Sequence, residues 1–184
     1  MRAPLGDFPD AAPAPDRLAM LPGPVADALR AWEGPVPAGE VVFVDSDPEV
    51  ADTAAFVAAY GQELLDASAN CVVVAGKRGA DVRLAACLVP SAARLDVNGT
   101  VRRRLDVRKA SFAPHDTAVG ETGMEYGGIT PVGLPAGWPL LIDASLTELP
   151  WVLVGSGRRR GKLILPGKAL PQLPGAEILE GLAR

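Results

Sequence analysis

The stretch Tyr126-Gly-Gly-Ile-Thr-Pro-Val-Gly133 packs three glycines, a threonine and a proline into eight residues. No regular element tolerates that mixture, so it reads as a tight loop. Paired glycines let a backbone approach a ligand closely and turn N–H groups outward, and such groups can hold the oxyanion that develops when a carbonyl is attacked. A purely structural turn is the plainer account of the same composition. A second Gly-rich turn, Val154-Gly-Ser-Gly157, runs into Arg158, Arg159, Arg160, Gly161 and Lys162. That cluster suits a phosphate or an RNA backbone, with a solvated hairpin tip as the alternative. Asp143 ends an apolar run, where a carboxylate can serve chemistry or cap the helix that begins near Ser145. His115 is the single histidine. It titrates near neutral pH, but its place between Pro114 and Asp116 suits the start of a helix better than a general base. The chain has neither the GxSxG elbow of serine hydrolases nor a Walker A loop.

The elements that must position these loops follow from periodicity and punctuation. The spacing of Val25, Leu29 and Trp32 predicts a helix over 25–32, ended by Pro35 and Pro37. Glu40–Val44 reads as a strand, and Asp47 as the cap of a helix over 48–60 that Gly61 closes. Asn70–Ala75 and Val82–Val89, joined by the Gly-rich segment 76–81, form a β-hairpin whose near-continuous apolarity implies burial on both faces. Residues 91–105 read as a helix with Arg102, Arg103 and Arg104 facing solvent or a partner. Lys109–Phe112, Pro139–Ile142, Trp151–Gly155 and Lys162–Leu165 are strands, 114–122 a short helix, and 167–173 a final helix or turn. The pattern is α/β (α+β), with a mixed sheet rather than strict βαβ winding.

Composition narrows the class further. A chain of 184 residues, 48% hydrophobic and 22% charged, suits one globular domain and lacks an apolar run long enough for a membrane helix. Residues 1–17 carry four prolines without periodicity and read as an irregular arm. They show no basic start followed by an apolar stretch, so a cytoplasmic location is expected. Cys71 and Cys87 sit in apolar runs as small hydrophobes, and no Cys/His/carboxylate set suggests a metal. A formal net charge of −4 argues against a general DNA or RNA coat while leaving room for a local basic groove.

Three motifs in order resemble a known family. Thr122-Gly-Met-Glu-Tyr-Gly-Gly-Ile-Thr-Pro-Val-Gly133 is similar to the "TGY..GGISP.G" signature of the YbaK/ProX proteins, relatives of the prolyl-tRNA synthetase editing domain. Trp138-Pro-Leu-Leu-Ile-Asp143 resembles that family's strand ending in aspartate, and Trp151-Val-Leu-Val-Gly-Ser-Gly-Arg-Arg-Arg-Gly161 its "V.GG.RG" turn. The resemblance covers about residues 47–180. It implies a twisted mixed β-sheet wrapped by helices, with an N-terminal arm and helix over 1–40 and the editing domain over 41–184. It also implies a freestanding deacylase that hydrolyses the ester of mischarged tRNA, such as proline tRNA carrying alanine or cysteine, without cofactor or metal. Gly127, Gly128, Ile129 and Asp143 would form the catalytic wall. Asn70, Thr130, Pro131, Gly155 and Gly157 would line or hold the substrate pocket, and Arg158, Arg159, Arg160 and Lys162 would touch the tRNA. The expected partners are aminoacyl-tRNA and an aminoacyl-tRNA synthetase, with neither DNA nor membrane, and the protein would be a monomer or homodimer.

One departure from the family pattern has chemical consequences. Where the family reads "KTL", with a lysine that helps hold the aminoacyl end, this chain reads Asn70-Cys71-Val72. Asparagine hydrogen-bonds but brings neither the charge nor the reach of lysine. A weakened or inactive aminoacyl-binding relative on the same fold is therefore the second reading. A third makes the prolines and the helix through Trp32 a docking module for a larger enzyme.

Overall fold

The computed structural model describes residues 1–184. Strand β1 (Ala12–Pro13) leads through a 3-10 turn to helix α1 (Gly23–Arg30), and β2 (Val42–Val44) precedes helix α2 (Thr53–Tyr60). The hairpin β3 (Ala69–Arg78) and β4 (Asp81–Pro90) turns at Gly79, whose φ of +64° suits glycine. A π-helical turn over 97–101 continues into the single helical turn α3 (Arg102–Arg104), followed by β5 (Lys109–Phe112) and α4 (His115–Thr122). The remainder alternates β6 (Leu140–Asp143), α5 (Ala144–Thr147), β7 (Val152–Gly155), β8 (Lys162–Leu165), a 3-10 turn over 167–172, and β9 (Ala176–Leu179).

These strands form two sheets with helices packed around them, a mixed α/β fold. One sheet has the order β1-β2-β8-β7 and is antiparallel throughout; the other runs β5-β3-β4-β6-β9, antiparallel around the hairpin and parallel where β6 and β9 join. A parallel bridge between Ser68 and Leu153 ties β7 of the first sheet to the start of β3 in the second. The largest core lies between the elements on both sides of that bridge, with Phe43, Leu88, Leu140, Ile142, Leu163 and Leu165 almost wholly buried.

Three expectations change here. The helix expected over 48–60 behind Asp47 is a 3-10 turn over 48–50 capped by Asp47, followed by α2, which has Asp52 as its own cap. Residues 91–105 are not one helix. Both oxygens of Asp96 capture the backbone N–H groups of Gly99 and Thr100, at 3.1 and 2.9 Å, and this draws the chain into a tight turn before only three α-helical residues. Nor do residues 1–17 stand apart as an irregular arm. Phe8 is buried against Phe56 and Tyr60, with ring centroids 6.1 and 5.3 Å apart, and Ala3 and Ala11 join the same cluster. The apolar face of α1 (Val25, Ala26, Leu29) is spent on the main core. Trp32 packs against that core and donates its indole N–H to the Val36 carbonyl at 2.7 Å, so this helix keeps no free apolar face for docking.

Candidate active site

Beside the bridge between Ser68 and Leu153, a cleft of about 370 Å³ opens. Its walls are the first half of β3 from Asn70 to Val73, the strand β7 from Leu153 to Gly155, and the N-terminal turn of α2 with Phe56. The loop from Tyr126 to Ile129 and the end of β5 at Phe112 close the remaining sides. The lining is mostly apolar with a few convergent polar groups, the usual composition of a small-molecule site.

The two glycine-rich loops are built as a pair. A Cβ on Gly128 would lie 2.2 Å from the Arg158 carbonyl oxygen, and one on Gly155 would lie 2.3 Å from the Gly128 carbonyl oxygen, so only glycine allows the backbones to touch at these points. Four hydrogen bonds fix the contact. Gly157 N–H donates to Gly128 O at 2.7 Å, Glu125 N–H to Gly157 O at 2.9 Å, Arg159 N–H to the Glu125 carboxylate at 2.7 Å, and Gly128 N–H to Glu125 O at 3.0 Å. The last bond has a chemical consequence, because it takes the Gly128 amide out of reach of a substrate. The N–H groups of Gly127 and Ile129 make no hydrogen bond within the protein, and both residues line the cleft. Gly157 lies against Pro22 and Val25, so the start of α1 supports this loop pair from behind.

Lys162, expected among the residues that touch the tRNA, lies inside the cleft. It opens β8, only 7% exposed, and its side chain reaches into the cleft instead of joining an external basic cluster. Nζ donates to the Ala51 carbonyl at 2.6 Å and sits 5.0 Å from the centre of the Phe56 ring. An ammonium has three donors, and the protein accepts one of them. Burial pushes its pKa down to about 8, partly opposed by the negative charge of Asp52, so it remains mostly protonated at neutral pH. The expected strand Lys162–Leu165 already placed this lysine in the sheet; that its side chain would turn inward to the cleft was not readable from the apolar run.

The other polar groups of the cleft have definite states. Asn70 lines the rim and accepts from Thr53 Oγ1 at 3.1 Å, which leaves its amide N–H groups available. Asp52 is tied to α2 as its cap, accepting from Ala55 N–H at 3.0 Å. Cys71 lines the wall, but burial followed by the neighbouring Cys87 raises its thiol far above its ordinary pKa, so it is not a thiolate nucleophile.

Asn70, Gly127, Ile129, Gly155 and Lys162 thus meet in one cleft, whereas Gly128, Thr130, Pro131 and Gly157 lie buried behind its wall. Asp143 is elsewhere. One of its oxygens accepts from Ser145 N–H and Oγ at 3.1 and 2.6 Å, and the other accepts from Ala183 N–H at 3.0 Å, which makes it a helix cap and a tether for the C-terminal segment. The arginine run is also largely engaged by the protein. Arg160 grips Asp45 with two bonds of 2.7 and 2.6 Å, and Arg159 donates to the Pro48 carbonyl at 3.0 Å, while Arg158 makes no ion pair. His115 is exposed, 4.7 Å from the Tyr126 ring and paired with Asp116, outside the cleft lining.

No helix is long and apolar enough to cross a membrane. A search of curated proteins finds no match. Among solved structures, one described as a "putative trans-editing enzyme for prolyl tRNA synthetase" superposes with a TM-score of 0.68 at 22% identity, covering 85% of this chain and 93% of that one. A scaffold used for computational grafting of epitopes gives 0.69 at 22%, over 85% and 94%, and hypothetical protein APE2540 gives 0.65 at 21%, over 77% and 90%. At these identities the likeness concerns the fold. A profile of the aminoacyl-tRNA editing domain matches residues 47–173, a span that holds the β3 wall, both glycine loops and Lys162. The chain belongs to the aminoacyl-tRNA editing domain family.

Proposed function

We propose that this protein is an aminoacyl-tRNA deacylase that hydrolyses the ester of mischarged tRNA in the cleft between Asn70, the Gly127–Ile129 loop and Lys162. The carrying observation is that Gly127 and Ile129, whose backbone N–H groups are unpaired, line one mostly apolar cleft together with a buried ammonium. Those donors suit a carbonyl oxygen that gains negative charge. Water adds to the acyl carbon, the bond from that carbon to the ribose oxygen breaks, and the ribose oxygen takes up a proton, leaving a free amino acid and a tRNA 3′ end. Cys71 is protonated and Asp52 is engaged as a cap, so direct attack by water suits the cleft better than a covalent acyl-enzyme. Apolar walls from Val72, Val73 and Leu153 favour a small apolar side chain, consistent with alanine or cysteine on proline tRNA. Asn70 faces the same cleft as the glycine loop, which favours retained ester recognition over the weakened relative.

The test is deacylation of a panel of mischarged tRNAs, beginning with alanyl- and cysteinyl-tRNA of the proline acceptor, by wild type and Gly128→Val. The added side chain forces the loops apart at Arg158, so hydrolysis should fall at least 100-fold with the circular dichroism spectrum largely retained. Binding of aminoacyl-tRNA without hydrolysis of any member by the wild type would move the reading to the non-catalytic relative.

A further inference from the structure

Positive charge is unevenly distributed along this chain. Residues 77–109 hold nine of the 18 Lys and Arg but three of the 22 Asp and Glu, so this segment is strongly positive within a protein of net charge −4. The fold gathers the segment beside β5, an edge strand of its sheet. Lys77 and Lys109 are register partners across β3 and β5, and they line one hollow together with Arg102 and Arg108. Ala110 and Ser111 are shared with a second hollow that Arg94 and Arg184 line. Phe112, 60% exposed, is shared between that second hollow and the cleft.

Most of this charge is uncommitted. Lys77, Arg94, Arg102, Arg108 and Lys109 make no ion pair, and of their side chains only that of Arg102 is held by the protein, through Nε donating to the Asn98 carbonyl at 2.9 Å. Asp96 is the one carboxylate lining the hollows; it is bound to Gly99, Thr100 and Arg184. At about 3.3 Å per residue, Lys109 lies roughly 10 Å along β5 from Phe112. Successive phosphates of a nucleic acid strand are spaced on that scale or closer. Phe112 and the exposed Tyr126 offer ring faces at the cleft mouth, which suits unpaired bases.

We infer that the groove along β5, from Lys77, Lys109, Arg102 and Arg108 past Arg94 to Phe112, is the RNA-binding surface that leads the 3′ end of tRNA into the cleft. This rests on the deacylase reading for the nature of the RNA, and it moves the contact surface away from Arg158–Lys162. Phosphates would lie on the basic side chains, with the terminal unpaired bases against Phe112 and Tyr126.

The test compares wild type with the charge-reversal pairs Lys77→Glu/Lys109→Glu and Arg102→Glu/Arg108→Glu, all exposed positions outside the cleft. Three quantities are measured: the Kd for a full-length proline tRNA transcript across salt concentrations, kcat/KM on alanyl-tRNA, and kcat/KM on the alanyl ester of adenosine. Each pair should weaken tRNA binding at least tenfold, reduce the log Kd against log salt slope by about 1–2, and raise KM for alanyl-tRNA with kcat and the adenosine ester unaffected. Unchanged tRNA affinity and salt slope in both pairs would overturn the groove while leaving the deacylase standing. Conversely, groove-dependent tRNA binding by a protein that hydrolyses no ester would sustain the groove and sink the deacylase.

Discussion

Two basic regions of the chain have different fates in the fold. The run Arg158–Lys162 is the denser, yet Arg160 is gripped by Asp45, Arg159 is turned onto Pro48, and Lys162 is drawn into the cleft. The residues of 77–109 are spread over 33 positions and meet in space only because β3 pairs with β5 and the turn after Asp96 packs beside them. Local charge density is therefore a poor guide to free charge. What decides is whether a carboxylate, a carbonyl or a cavity lies within reach once the sheets assemble.

The largest effect that would sharpen this contrast is expected at Lys162. Lys162→Met should reduce kcat/KM on alanyl-tRNA by at least about 100-fold, because the cleft loses its cation. The same change should leave the fold as stable as before, or more stable by roughly 1–3 kcal/mol at pH 7, since a lysine whose pKa burial lowers to about 8 opposes folding while it is charged. Between pH 8 and about 10.4 Lys162 is protonated in the unfolded chain but not in the folded one, so the wild type should gain stability relative to Lys162→Met on that rise, while the raised thiols of Cys71 and Cys87 are common to both proteins and cancel in the difference. Chemical denaturation at pH 7 and pH 10 measures both arms. Loss of stability together with loss of activity would make Lys162 a packing residue.

A smaller, purely structural effect is expected at Asp143. Asp143→Ala removes the cap of α5 and strands the Ala183 N–H, a cost of about 2–3 kcal/mol. Turnover per folded molecule should be unchanged. Slower chemistry at full occupancy of the folded state, measured by active-site-independent refolding controls, would return Asp143 to the catalytic wall.

The parts of the molecule legible in the sequence are those whose causes are local. The limits of β8 coincide with the expected Lys162–Leu165 because its apolar run lies between Gly161 and Pro166, and those of β5 coincide with the expected Lys109–Phe112, with Pro114 stopping the chain two residues on. The glycine loop was recognisable as a loop for the same reason. Pairing was not legible. Nothing near Gly128 announces that its amide would be taken by Glu125 or that its Cα would meet Arg158, thirty residues on. Residues 1–17 looked unstructured because proline removes periodicity, while the rings that bury Phe8 lie in α2. The short strands β1 and β9 escaped notice because each is held by a partner strand rather than by its own pattern.

The smallest expected effect tests the engaged side of the comparison. Arg160→Ala breaks two bonds to Asp45, but the pair is largely solvent-exposed on the arginine side, so Tm should fall by no more than about 2 °C. The Arg160 hydrogen bond, with its charge, holds the Asp45 carboxyl below its usual pKa. A depressed carboxylate adds stability above its unfolded pKa of about 3.9 and loses it as pH falls through the folded value, so the gap between wild type and variant should close below about pH 4. The decisive reading is the salt dependence of tRNA binding. If Arg160 is spent on Asp45, the slope stays at the wild-type value in Arg160→Ala while it drops in Lys77→Glu/Lys109→Glu. Equal drops in both would mean that RNA displaces Asp45 from Arg160, and the two basic regions would then form one continuous surface around the cleft.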